Sequence, residues 1–301
     1  MAQSREEFLK RRQAGIGGSD VAVILGLSKW KTPFGLWQEK TGKVKPDDET
    51  SERMHFGNVL EQVVADEFSR RNGLKVERRN NMFVKDNILI ANIDRYIVGE
   101  KAVLECKTAD RFTAHLWGSD ENDEIPDYYL AQVTHYQYVT GYQELGYLAV
   151  LIGGNEYRQF RIKYNPALGE YIAEQCVNWW DKFIKKDTPP SATQNDNLSN
   201  YFKYSAGASI TASAEILDAV EELRAVKAAI KTNETQKDEL EFRIKNFIGE
   251  NEVLFAPDGS KLATWKQSTS RRIDTTALKH DYPEVASLVE TESISRRFLL
   301  K

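Results

Sequence analysis

The chain has 301 residues, 41% of them hydrophobic, enough for one well-buried domain plus a smaller module. A formal net charge of −4 and a pI near 5.8 argue against a protein that coats nucleic acid without specificity, yet leave room for an acidic metal centre in a locally basic groove. No apolar run is long enough to span a membrane, the first residues lead into no signal-like apolar core, and two cysteines are too few for a disulfide framework, so a cytoplasmic chain with reduced thiols and no membrane contact is expected.

In chain order, Gly15-Ile16-Gly17-Gly18-Ser19-Asp20 precedes a short apolar run, predicting a helix with Ser19 as N-cap and Gly26 just past its end. Free N–H groups at such a helix start also make Ser19 a candidate phosphate contact, and capping and anion binding remain equal alternatives there. Thr32-Pro33 starts a second helix through Lys40, closed by Gly42. A third helix is predicted from about Gly57 to Asn72, ending at Gly73, followed by strands near 81–85, 88–98 and 101–108. A helix from about Pro126 to Thr140 ends at Gly141, a hairpin (145–152 and 157–163) turns at Gly153-Gly154, and Pro166 opens an aromatic-rich helix of about twenty residues before Pro189-Pro190. Basic residues gather at Lys10, Arg11, Arg12, Lys29, Lys31 and Arg78-Arg79, each taken singly an ordinary solvated side chain. Trp30, between two lysines, reads as local packing.

The densest chemistry lies between Ile88 and Thr108. Two β-rich runs flank Gly99-Glu100, a dipeptide suited to a type II′ turn, and with that turn facing residues have numbers that sum to 199. Asp94 then faces Glu105 with Cβ atoms roughly 5 Å apart, an arrangement that destabilises a sheet unless something cationic lies between the carboxylates. Alternation puts Lys107 on the face of Glu105 and turns Cys106 away. On the preceding helix, Glu61 shares a side with Gly57, Val64, Ala65 and Phe68, where a carboxylate is costly unless a cation or hydrogen bonds satisfy it, so Glu61 is a candidate third ligand. Carboxylates without histidine or thiolate partners suit Mg²⁺ or Mn²⁺ and phosphodiester hydrolysis, with Lys107 orienting or helping to deprotonate the attacking water.

The helical Glu61 followed by Asp94 and Glu105-Cys106-Lys107 resembles the PD-(D/E)XK nuclease core. Gly15 to Ala22, Thr32-Pro33, Lys40-Thr41-Gly42, Met54 to Glu61 and Ala131 to Tyr136 narrow the resemblance to the YqaJ-type viral recombinase family, relatives of lambda exonuclease, over roughly residues 10–185. The resemblance implies an α/β (α+β) fold with a central mixed sheet flanked by helices, and ATP-independent 5′ to 3′ digestion of double-stranded DNA that leaves 3′ single strands for recombination by annealing. By resemblance, the site takes two Mg²⁺ or Mn²⁺ ions, bound by Asp94, Glu105 and the Cys106 carbonyl, with Glu61 joining the second. Lys107 positions the water, Gln132 holds the water or the nearby phosphate, and Arg12, Ser19 and Asn92 line a 5′-phosphate pocket, although Arg11 and Arg12 are interchangeable on spacing. Gln132 and Tyr136 share a helical face with Tyr128, as a groove wall or as core packing. Arg95 stands where the family has a glycine. The implied partners are duplex ends, a RecT-type annealing protein and further copies of the chain in a ring of three, inside a bacterial or phage-infected cell.

Those features divide the chain into a nuclease domain (1–188), a polar linker (189–211) and an accessory module (212–301). In the module, Ile216, Val220, Leu223, Ile230, Leu240, Ile244 and Phe247 recur at helical steps, as one long helix or a helical hairpin, before a turn at Pro257-Asp258-Gly259 and a segment with Asp274 as N-cap. The module is expected to serve assembly or contact with DNA or the annealing protein. An endonuclease or junction-cleaving enzyme on the same fold, and a DNA-binding module without turnover, are the competing readings.

Overall fold

The structure is a computed structural model that describes residues 5–44, 51–78, 82–118, 124–292 and 294–301. The chain divides into two compact units, 1–198 and 199–301. The first begins with α1 (Arg5–Gln13), α2 (Gly18–Ile24), α3 (Pro33–Lys40) and α4 (Glu52–Asn72), followed by β1 (Val76–Glu77), β2 (Phe83–Lys85), β3 (Leu89–Ala91), β4 (Arg95–Ile97) and β5 (Ala102–Ala109). A 3₁₀ turn (Arg111–Leu116) leads to α5 (Asp127–Thr140), β6 (Leu145–Ile152), β7 (Glu156–Lys163) and α6 (Pro166–Trp179), which continues into a π-helical turn over Trp180–Ile184.

Five strands form a mixed sheet in the order β1-β4-β5-β6-β7, antiparallel except for the β5–β6 pair, whose connection runs through α5. The α4 residues Val64, Ala65 and Phe68 cover one face by packing on Ile97, Ala102, Leu104, Cys106, Tyr147 and Ala149. Helix α5 lies on the other face, where Gln132 reaches Glu105. β2 and β3 pair separately, and an Ile16–Leu89 bridge stitches the loop before α2 to β3.

Several boundaries differ from expectation. The predicted strand 88–98 breaks in two, because at Asp94 the side chain rather than the backbone takes the Cys106 amide (2.8 Å), ending the ladder at Arg95. The 199 register nevertheless holds, with Arg95 facing Leu104 and Tyr96 facing Val103. The turn is one position out of phase: Glu100 N–H donates to the Ile97 carbonyl (3.2 Å), placing Gly99 third in the turn, where its φ of +88° favours glycine. Helix α4 starts at Glu52 rather than near Gly57, with Ser51 accepting from the Met54 amide, because Met54, Phe56 and Val59 are exposed and blur the apolar period there. Gly17, not Ser19, is the N-cap of α2, and its own N–H is taken by the Asp20 carboxylate (2.9 Å). The two-residue β1 was too short to leave a sequence pattern. Arg79 and Asn81 lie outside the described residues.

In the second unit, after the short α7 (Leu198–Tyr201), residues 214–248 form one continuous helix, α8 (Ala214–Ile248), capped by Ser213. A hairpin of β8 (Val253–Phe255) and β9 (Lys261–Thr264) follows, then α9 (Thr275–Asp281), whose N-cap is Asp274, and α10 (Pro283–Val289). No helix among the described residues is long and apolar enough to cross a membrane.

Candidate metal centre

Asp94 and Glu105 come together across the start of the β4–β5 ladder. Each carboxyl acts on the other, and both pKa values are raised. Burial is the first cause in each case, opposed at Asp94 by Lys107 and the Cys106 amide and reinforced at Glu105 by the Asp94 charge. Two buried carboxyls at this distance need a proton or a cation between them.

Glu105 is 2% exposed and anchors the cluster. Its Oε1 accepts from Gln132 Nε2 (2.6 Å) and pairs with Lys107 Nζ, while its Oε2 is buried with no hydrogen-bond partner. An orphaned carboxylate oxygen is expensive unless something fills its lone pairs. Burial alone would lower the Lys107 pKa, but Glu105 and then Asp94 outweigh it and raise the value, so the ammonium is held charged. The Lys107 head also lies 5.3 Å from the Tyr129 ring. Cys106, on the opposite face, is buried against α4, and its thiol pKa is pushed well up by burial and then by Asp94, which makes the sulfur a poor ligand. N–H and C=O of one strand residue leave on the same side, so the Cys106 carbonyl faces the gap where its amide meets Asp94.

Glu61, the expected third ligand, is engaged elsewhere. Asp94 and Arg95 alternate across the pleat, and Arg95 emerges on the α4 side. There its guanidinium donates to Glu61 Oε1 (2.5 Å), Gln62 Oε1 (2.9 Å) and the Asp94 carbonyl (2.6 Å), with only 2% of the residue exposed. Among the described residues, accordingly, no three His, Cys, Asp or Glu side chains are grouped closely enough to hold an ion. The donor set that does converge is Asp94, the unpartnered oxygen of Glu105 and the Cys106 carbonyl: hard oxygens that fit a magnesium-like ion.

A second cluster borders this centre. Arg12 Nη2 donates to Ser19 Oγ (2.9 Å), which distinguishes Arg12 from Arg11. Gly18, the neighbour of Ser19, packs so tightly on α5 that an added Cβ would lie 2.5 Å from Tyr136 Cε1 and 2.9 Å from Gln132 Cγ. Gln132 also donates to the Tyr136 hydroxyl (2.9 Å), so Arg12, Ser19, Tyr136, Gln132 and Glu105 form a continuous path of contacts. Asn92 is half-buried in the bend between β3 and Asp94. Trp30 packs edge-on against Tyr128, with ring centroids 5.1 Å apart, while staying 70% exposed. Tyr128 faces Trp30, while its neighbour Tyr129 lies beside the Lys107 head.

Two buried features had no sequence signal of their own. Asp20 and Lys40 form an ion pair (2.6 Å) with both side chains 4% exposed, and Lys40 also donates to the carbonyls of Arg12 and Gly15. His135, fully buried, has Nε2 3.0 Å from the Ile90 carbonyl, and burial holds its pKa down to about 4.

The profile of the YqaJ-like viral recombinase domain matches residues 7–143. An uncharacterized protein YqaJ of Bacillus subtilis (strain 168) is 39% identical over 306 residues, covering 99% of this chain and 94% of its own length. The alkaline exonuclease LHK-Exo of Laribacter hongkongensis shares the fold with a TM-score of 0.51 and 17% identity, across 60% of this chain and 93% of that one; its complex with dAMP gives 0.50. Mixed sheet, flanking helices and an Asp…Glu-x-Lys hairpin are those of a PD-(D/E)XK-type fold, and the chain belongs to the YqaJ-like viral recombinase family.

Proposed function

We propose that the protein is a divalent-metal-dependent, ATP-independent exonuclease that digests duplex DNA 5′ to 3′ and leaves a 3′ single strand for annealing. The observation that carries this reading is the Asp94–Glu105 pair: two buried carboxyls with raised pKa values, one oxygen without a partner, and a charged lysine on the shared face. Asp94, Glu105 and the Cys106 carbonyl would hold Mg²⁺, or Mn²⁺ in its place. Such an ion supplies a more acidic water and charge stabilisation at the phosphate.

The chain's own groups do the rest. Lys107, charged and supported by the Tyr129 ring, orients the attacking water and favours hydroxide beside it. Gln132 fixes the Glu105 carboxylate through Oε1, leaving Oε2 for the ion. The Arg12–Ser19 pair, joined to this centre through Gly18, Tyr136 and Gln132, receives the terminal 5′ phosphate, with Asn92 at its edge. Glu61, held by Arg95, would be available to a second ion only with that pair opened. The nuclease occupies residues 1–188, a linker 189–211, and an accessory module 212–301. A RecT-type annealing protein takes the single strand.

The test uses linear duplexes with a 5′ phosphate and a label at one chosen end, Mg²⁺ and no ATP. The 5′-ended strand is expected to shorten while covalently closed circles survive. Loss of the 3′-ended strand overturns the polarity, and cleavage of closed circles favours an endonuclease.

A further inference from the structure

One large aromatic ring near the metal centre is neither buried nor loosely held. Trp30 lies in the short loop between α2 and α3 and is 70% exposed. The loop is anchored at both ends. Leu27 and Ser28 donate to the Ala22 carbonyl (2.8 and 3.0 Å), closing α2, and Thr32 caps α3 by accepting from the Gly35 amide (3.0 Å). Between these anchors Ser28 Oγ accepts from the backbone amides of Trp30 (3.3 Å) and Lys31 (3.2 Å). The edge contact with Tyr128 orients the ring and leaves most of it in solvent. From there aromatic rings lead inward: Tyr128 meets Tyr129 with centroids 4.4 Å apart, and the Lys107 head lies 5.3 Å from the Tyr129 ring. Trp30 is thus three contacts from Lys107, in the segment that directly follows the helix carrying Ser19. Exposed Lys29 precedes it, while Lys31 is paired with Glu39 (2.6 Å).

We propose that Trp30 stacks on an unpaired nucleobase of the 5′-ended strand at the opened duplex end. The inference rests on the nuclease reading and adds to it the group that meets a base, where the Arg12–Ser19 pair and the carboxyl centre meet only phosphates. Release of nucleotides from a strand end requires the terminal bases to leave their complements, and each base that does so loses stacking. An indole whose face is open and whose backbone is already ordered restores that stacking at little further entropic cost. Position selects the strand. Arg12–Ser19 and Lys107 serve phosphates of one strand, and Trp30 is joined to both, through α2 and through the Tyr128 and Tyr129 rings. Lys29 beside it supplies a positive charge for that strand's backbone. Stacking is tolerant of base identity, which suits an enzyme that removes each nucleotide in turn. Packing accounts for the edge on Tyr128 but not for an ordered indole face left in water.

The test uses the full-length chain carrying Lys107→Ala or Lys107→Gln, so that the duplex end is held without turnover. The 5′-phosphorylated duplexes carry 2-aminopurine, whose fluorescence is quenched by stacking, either near the 5′ end or opposite it in the 3′-ended strand. With Trp30 present, the 5′-strand probe is expected to stay quenched on binding. With Trp30→Ala added, the same probe should brighten, unpaired and unstacked, and the Kd for the end should rise about 5- to 100-fold. Trp30→Phe should restore quenching and most of the affinity, whereas Trp30→Leu, apolar but without a π face, should behave as alanine does. Because the ring is exposed, far-UV circular dichroism should be unchanged in all three variants. Equal fluorescence and affinity in Trp30→Ala, full rescue by leucine, or a response confined to the 3′-strand probe would overturn the proposal. Failure of the nuclease reading is distinguished by turnover of the wild type: no Mg²⁺-dependent release overturns that reading, while release together with an unresponsive probe overturns only the stacking.

Discussion

Arg95 and Lys107 show how one alternation of the backbone assigns two charges to different tasks. Lys107 shares the face of Glu105 and stays charged beside it, whereas Arg95, one residue past Asp94, turns to the α4 side and neutralises Glu61. A first expectation follows: Asp94→Asn and Glu105→Gln should each lower Mg²⁺-dependent nucleotide release by about 100-fold or more, and Glu61→Gln by less than about 10-fold. Turnover of the three variants measured well below their melting temperatures decides it, and equal losses would place Glu61 in the working metal centre. The Asp20–Lys40 pair is the second case. Lys40→Ala strands a buried carboxylate and removes two bonds to the Arg12 and Gly15 carbonyls, so urea unfolding should show a loss of about 3–5 kcal/mol.

His135 sets the pH dependence at the same scale. Its folded pKa, about 4, lies below the ordinary 6.5, so the unfolded chain binds a proton first as pH falls. Above pH 6.5 both states are neutral and the residue contributes nothing to the slope. Between 6.5 and 4 its contribution is lost progressively, up to about 3 kcal/mol. Urea midpoints across this window should fall more steeply for the wild type than for His135→Gln, and parallel slopes would contradict the assignment.

Elements explain which parts of the structure were legible in sequence. The hairpin register was legible, because a glycine turn between β-rich runs fixes which residues face each other even when the turn is displaced by one position. The break of residues 88–98 was not, since the run is apolar throughout and only the capture of the Cys106 amide by Asp94 ends it. Gly17, Gly18, Ser19 and Asp20 can each serve a helix start, and what decides among them is Lys40, contributed by α3. Likewise nothing near Glu61 in sequence announces Arg95, which stands 34 residues away. Local patterns set the elements, and long-range ion pairs set the ends and the roles. The α2–α5 contact gives this scale its own test. Gly18→Ala places a methyl 2.5 Å from the Tyr136 ring, so unfolding free energy should drop by about 1–3 kcal/mol and activity should fall with it through Gln132. Wild-type stability and activity in Gly18→Ala would show that the contact yields without consequence.

For the whole molecule, the matched family profile, the PD-(D/E)XK-type core and the Asp94–Glu105–Lys107 grouping lie in the first unit, while the 39% identical relative matches both units. The central claim is that Asp94, Glu105 and Lys107 cut phosphodiester bonds with a divalent metal. It is tested most directly by timing nucleotide release from a 5′-phosphorylated linear duplex, with Mg²⁺ or with EDTA, for the wild type and Lys107→Ala. Release by the wild type with Mg²⁺ alone, lost in Lys107→Ala while that variant still binds the duplex end, is the expected result; release that persists in EDTA or in Lys107→Ala would contradict the account.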